Sequence, residues 1–150
     1  KPGGIKVEYL NNTFDIVEAP AMDYTKKGIF KEWLNYVKKE KPNLIIGSSM
    51  GGYFALALAS HTGIPVLVFN PAVHSRSFEI DGLQSGKVKI KGLVVLGEDD
   101  DVVDPGKTHS MLKGSWNDLE IQVEKEMGHR IPLSVFTDMY NKIHEVYIIN

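Results

Sequence analysis

Apolar residues along this chain follow two rhythms. Ile29, Phe30, Trp33, Leu34 and Val37 recur at intervals of three and four, the spacing of one helical face, and predict a helix over about 25–39. Lys26, Lys27, Lys31, Lys38 and Lys39 fill the other positions; Asp23 or Thr25 stands where a cap belongs, and Pro42 ends the run. Leu133, Phe136, Tyr140, Ile143 and Tyr147 repeat the spacing and predict a final helix. Between these helices, 44–46, 66–69 and 93–96 are apolar without alternation, as in parallel strands covered on both faces, and 44–46 reads as a central strand. Leu119, Ile121 and Val123 alternate with polar residues and predict a strand nearer a sheet edge. Gly51, Ala55 and Ala59 lie four apart in a helix over about 50–62, small enough to let it sit close on a sheet, with Gly63 at its C-terminal cap. A shorter helix is expected from about 105 to 112. At the start, Ile5-Lys6-Val7-Glu8-Tyr9 alternates and predicts a short strand. Asn11-Asn12-Thr13 reads as a turn, and Phe14-Asp15-Ile16-Val17 as a second strand closed by Ala19-Pro20.

Strands alternating with helices, several of them apolar throughout, imply an α/β domain with a mostly parallel sheet. At 150 residues the chain suits one domain spanning 1–150, with no repeat or linker. The pattern breaks only from 74 to 91, an irregular cap or substrate loop in which Phe78, Ile80 and Leu83 stand isolated. A net charge of −2 gives no reason to expect nucleic acid or an acidic membrane as partner, and the 26–41 lysines form the solvated face of a helix. With no cysteine there is no disulfide framework, thiol nucleophile or thiolate metal site, which fits a cytoplasmic protein. No apolar run approaches the roughly 18–20 residues of a membrane span.

The chemistry gathers where the first apolar strand ends in Gly47-Ser48-Ser49-Met50-Gly51 and the small-residue helix begins. Gly-x-Ser-x-Gly between a strand and a helix is the nucleophile-elbow context. Only Ser49 is in register, because Ser48 as the central serine would need glycine at Ile46 and Met50. Without its flanks the motif is no more than a Ser/Gly turn. In an elbow, the Met50 backbone N–H opens the helix and is aimed at the oxygen that becomes negative in acyl transfer. A serine hydroxyl needs a base to take its proton and a third group to hold that base. In α/β-hydrolases the chain order is serine, acid, histidine. The loop after 93–96 supplies Glu98, Asp99, Asp100, Asp101 and Asp104 as acids, the last also a helix cap ahead of Pro105. Of five histidines, His61 and His144 fall in helices, His109 lies too close to the acid loop and His74 precedes it. His129 follows the last strand, beside Gly128, which frees the backbone to turn the ring toward Ser49. No calcium-loop spacing or other metal set is evident.

Gly47-Ser48-Ser49-Met50-Gly51-Gly52-Tyr53, Asn70-Pro71-Ala72-Val73, Gly97-Glu98-Asp99-Asp100, Gly128-His129-Arg130 and Val17-Glu18-Ala19-Pro20 together resemble the YqiA-like (UPF0227) esterases of the α/β-hydrolase superfamily. The likeness runs from about residue 14 onward. It implies an α/β-hydrolase-type three-layer sandwich and a serine esterase or thioesterase acting on a small carboxylester or thioester through an acyl-enzyme, without a cofactor. It also points to Asp100 as the acid, three residues after the glycine and just before x-Val-Val, so that Ser49, Asp100 and His129 form the triad. His74 and Phe78 are the substrate-binding candidates. One departure stands out. The family begins with a strand ending in His-Gly that gives the second oxyanion N–H, and this chain has no His-Gly. The expected fold therefore lacks the usual N-terminal strand or strands, unless the loop after Val17 takes over that donor. A binding protein of the same fold that has lost part of its oxyanion hole is the alternative.

Overall fold

A computed structural model describes residues 4–13, 17–74, 88–113 and 118–148. Its elements are α1 (Ile5–Thr13), α2 (Ile29–Glu40), β1 (Ile45–Ser48), α3 (Met50–Thr62), β2 (Val66–Phe69), β3 (Lys91–Gly97), α4 (Pro105–Lys113), β4 (Asp118–Glu124) and α5 (Leu133–Tyr147). The four strands form one all-parallel sheet in the order β1-β2-β3-β4. Side chains alternate across a strand, so the unbroken apolar runs serve two cores at once. From β2 and β3, Val66, Val68, Val94 and Leu96 pack with Ala55, Leu56 and Ala59 of α3 and Leu112 of α4. Leu67, Phe69, Leu93 and Val95 face the other way, onto Phe136, Met139, Tyr140 and Ile143 of α5. Helix α2 packs against α3 through Ile29, Phe30 and Val37. The result is the expected three-layer α/β arrangement. Each fully buried Val, Leu or Phe contributes about 1.5–3 kcal/mol of transfer free energy.

Most predicted elements fall within a few residues of their expected bounds, and Gly63 caps α3 at φ 76 with its N–H donating to Ala59 O. Four expectations change. Residues 5–9 are helical, not extended, because Leu10 breaks the alternation after Tyr9 and the two together make a helical face. That face packs on α5, with the Tyr9 ring edge-on to Phe136 and Tyr140 at centroid distances of 6.4 and 6.5 Å. The turn placed at 11–13 is consequently the last turn of α1. Helix α2 starts at Ile29 rather than near 25, and neither Asp23 nor Thr25 caps it. Asp23 instead closes a local turn by accepting the Thr25 N–H and hydroxyl, and Gly28 precedes the helix in the left-handed region at φ 76. Finally, β1 is not central. Both its faces are covered, which explains its apolar run, but among the described residues it pairs only with β2. The strand expected at 14–17 lies at 14–16 outside the described residues, and Val17 is not in a strand. Most of the irregular 74–91 segment also lies outside them, at 75–87. No described strand precedes β1.

Candidate active site

The site lies at the carboxyl ends of the strands, where three loops meet. The first is the β1–α3 turn. Ser49 sits there at φ 53, ψ −121, a conformation that costs a non-glycine residue about 1–3 kcal/mol. Surrounding contacts hold it: the Ser49 N–H donates to Phe69 O at 3.0 Å, and Ser49 O accepts the N–H groups of Tyr53 (3.1 Å) and Ala72 (2.9 Å). Gly47 is required by space, since a Cβ there would lie 2.2 Å from the Gly51 carbonyl oxygen. Met50 begins α3, so its N–H is among the first-turn donors that a helix leaves without an internal partner.

The second loop leaves β3. Asp100 is buried, and both of its carboxylate oxygens are used. Oδ1 accepts the N–H groups of Val102 (2.8 Å) and Val103 (2.9 Å), which turns Oδ2 toward His129. Asp99, Asp101 and Asp104 do not make that contact. Asp104 instead caps α4, as one of the two sequence readings had it, accepting the Lys107 N–H at 3.1 Å; this bond holds its carboxyl below the ordinary carboxylate range.

The third loop follows β4 and carries His129. Its Nδ1 lies 2.8 Å from Asp100 Oδ2 and its Nε2 lies 3.1 Å from Ser49 Oγ. An ionised carboxylate can only accept, so Nδ1 carries the proton and Nε2 is left to accept from the serine hydroxyl. Residues 80 apart in the chain thus form one line of hydrogen bonds. The His129 side chain remains 28% exposed while that of Asp100 is fully covered, so the line of hydrogen bonds opens to solvent toward Ser49 and is closed at Asp100.

Gly128 does not play the part expected of it. It is outside the left-handed region, and an added Cβ would come no nearer than 3.8 Å to another atom. The indispensable glycine is Gly97, where a Cβ would lie 2.4 and 2.5 Å from the carbonyl oxygens of Met127 and Gly128. The acid and base loops are joined there, backbone against backbone, with Asp99 N–H donating to Met127 O at 2.9 Å.

Among the other candidates, His74 donates from Nε2 to Asp104 O at 3.2 Å and lines a concavity of about 600 Å³ with Asp101, Asp104 and Lys107, behind the acid loop. Phe78 lies outside the described residues. His61 lies edge-on to Phe30, and His144 lies against Tyr140. Among the described residues no three His, Asp or Glu side chains are grouped to hold a metal ion. No described helix is long and apolar enough to cross a membrane. The sequence reading missed one participant, Asn70. In the sequence Asn70 stands only within Asn70-Pro71-Ala72-Val73, and the signal for it is a polar residue closing the wholly buried β2.

Sheet order, elbow and loop positions define an α/β-hydrolase fold, and solved structures agree. The chain is similar to SOBER1 from Arabidopsis thaliana, at 20% identity and TM-score 0.60, over 83% of this chain and 66% of that one. It is similar to a serine hydrolase without a lid from Xanthomonas campestris, at 17% identity and TM-score 0.56, over 85% and 58%. It is also similar to an S-formylglutathione hydrolase from Agrobacterium tumefaciens, at 16% identity and TM-score 0.52, over 81% and 56%. The chain spans less than two thirds of the length of each of these proteins. No curated protein matches it. Residues 16–92 match the model of the Uncharacterised protein family UPF0227, and the chain belongs to that family.

Proposed function

We propose that this chain is a serine hydrolase that cleaves a small carboxylester or thioester through an acyl-enzyme on Ser49, working as one domain over 1–150 without a cofactor. The observation that carries the reading is the unbroken line Ser49 Oγ, His129 Nε2, His129 Nδ1, Asp100 Oδ2, at 3.1 and 2.8 Å. Ser49 Oγ attacks the carbonyl carbon as its proton passes to His129 Nε2. Asp100 holds the ring and favours the imidazolium that forms. The carbonyl oxygen, now negative, takes a hydrogen bond from the Met50 N–H. As the intermediate collapses, the bond from carbon to the leaving oxygen or sulfur breaks, and His129 returns the proton to that atom. Water then adds to the acyl-serine with His129 again taking a proton, and a carboxylic acid leaves with the Ser49 hydroxyl restored. The serine hydrolase and the S-formylglutathione hydrolase among the structural neighbours are in keeping with this chemistry.

The alternative reading is a binding protein of the same fold that holds a ligand without turning it over. Hydrolysis of short-chain p-nitrophenyl esters and thioesters separates the two. The hydrolase reading expects turnover that Ser49→Ala removes. Turnover unchanged in Ser49→Ala, or none by well-folded parent protein across the panel, overturns it.

A further inference from the structure

We propose that Asn70 is a positioning residue that sets the spacing between His129 and Ser49; the inference rests on the hydrolase reading above. Asn70 closes β2, is 1% exposed and has φ 44, in the left-handed region. Its amide is fully used. Oδ1 accepts the Gly97 N–H at 2.8 Å, at the root of the acid loop. Nδ2 donates to Gly128 O at 3.2 Å and to His129 O at 3.1 Å, in the base loop. The orientation of the amide is fixed by its partners, since one is a donor and two are acceptors.

The neighbours of Asn70 hold the nucleophile. Phe69 O accepts the Ser49 N–H and the Ala72 N–H donates to Ser49 O, so residues 69–72 grip the elbow by its backbone. The acid and base loops are bonded to each other through Glu98 N–H to Glu124 O and Asp99 N–H to Met127 O. Those bonds tie acid to base without involving the elbow. The Asn70 side chain joins that pair to the segment that grips Ser49. Few residues fit the position: glycine tolerates the backbone but has no amide, aspartate has the shape but no donor for two carbonyls, and glutamine is a methylene too long. Asn70 touches no reacting atom in the proposed mechanism. Its effect comes through distance, and a misplacement of about 1 Å between reacting groups costs on the order of a hundredfold in rate.

The test is Asn70→Gly, which accepts φ 44 without strain and removes only the side-chain ties. The rate of fluorophosphonate labelling of Ser49, per folded molecule, is expected to fall roughly 10- to 100-fold. On an ester substrate kcat should carry the loss with KM little changed, and in a crystal of the variant His129 Nε2 should lie beyond hydrogen-bond reach of Ser49 Oγ. A lowered melting midpoint with parental labelling per folded molecule would mean a purely structural role and overturn the proposal. If the parent itself is not labelled, the hydrolase reading fails, and the crystal distance decides the positioning claim: an unchanged 3.1 Å overturns it. Should Asn70→Gly not fold, Asn70→Asp keeps the shape and the Gly97 bond but sets a carboxylate against two carbonyl oxygens. The same fall is expected of it, and a parental rate would overturn the proposal.

Discussion

The serine elbow and the pair of loops facing it reach equal precision by different means. The elbow is written in contiguous residues: Gly47 clears the space beside the Gly51 carbonyl, Ser49 takes the strained turn and α3 starts at once. The loops carrying Asp100 and His129 are held from a distance, by backbone bonds between two strand ends and by one buried amide from a third. A contiguous motif can therefore be recognised from the sequence once its flanking strand and helix are read with it, whereas Asp100 and His129 become a pair only after the sheet has brought β2, β3 and β4 into register.

The largest expected effect breaks the elbow's chemistry without touching its shape. Ser49→Ala should lower ester hydrolysis by on the order of 10⁴–10⁶ with the melting midpoint unchanged, measured by steady-state kinetics beside a thermal melt. Next comes the loop pair. Asp100→Asn retains the volume but sets an amide against His129 Nδ1 and favours the wrong tautomer. The rate should fall by roughly 10⁴, as when a triad carboxylate is amidated in a serine protease. The glycines then show that each region has one position where only a hydrogen fits. Gly47→Ala meets the Gly51 carbonyl and Gly97→Ala meets the Met127 and Gly128 carbonyls, so each should lose about 3 kcal/mol or more in denaturant unfolding. Gly128→Ala, with open space around its Cβ, should stay within about 0.5 kcal/mol.

The smallest effect concerns α5, which follows the base loop. Burial, with Tyr9 nearby, pushes the Tyr140 hydroxyl up to about 12. The folded state thus favours neutral Tyr140. That contribution is complete below the unfolded value of about 10 and is lost as pH rises from there toward 12. Melting midpoints should fall across that window, and less steeply in Tyr140→Phe.

The same contrast explains what could be read from the sequence. The layers were legible because each buried strand is a short apolar run and each helix carries one apolar face. The elbow was legible because its glycines stand beside its serine. Asp100 required a family pattern to be singled out among five carboxylates, since nothing local marks which of them folds inward. Gly128 was credited with freedom that the fold does not use, while the steric demand falls on Gly97, visible only once two loops touch. Residues 5–9 are helical despite their alternation because five residues are too few to fix a period, and the packing of Tyr9 on α5 decides the outcome. Nothing near Asn70 in the chain marks its role, because its partners lie 27, 58 and 59 residues away.

The central claim is that Ser49 is a nucleophile activated by His129. It is tested most directly by reacting the folded protein with a fluorophosphonate probe and locating the adduct by peptide mass, with His129→Ala run in parallel. The account predicts an adduct on Ser49 that is lost or greatly slowed in His129→Ala. An unmodified Ser49 in well-folded protein, or equal labelling in the two proteins, would contradict it.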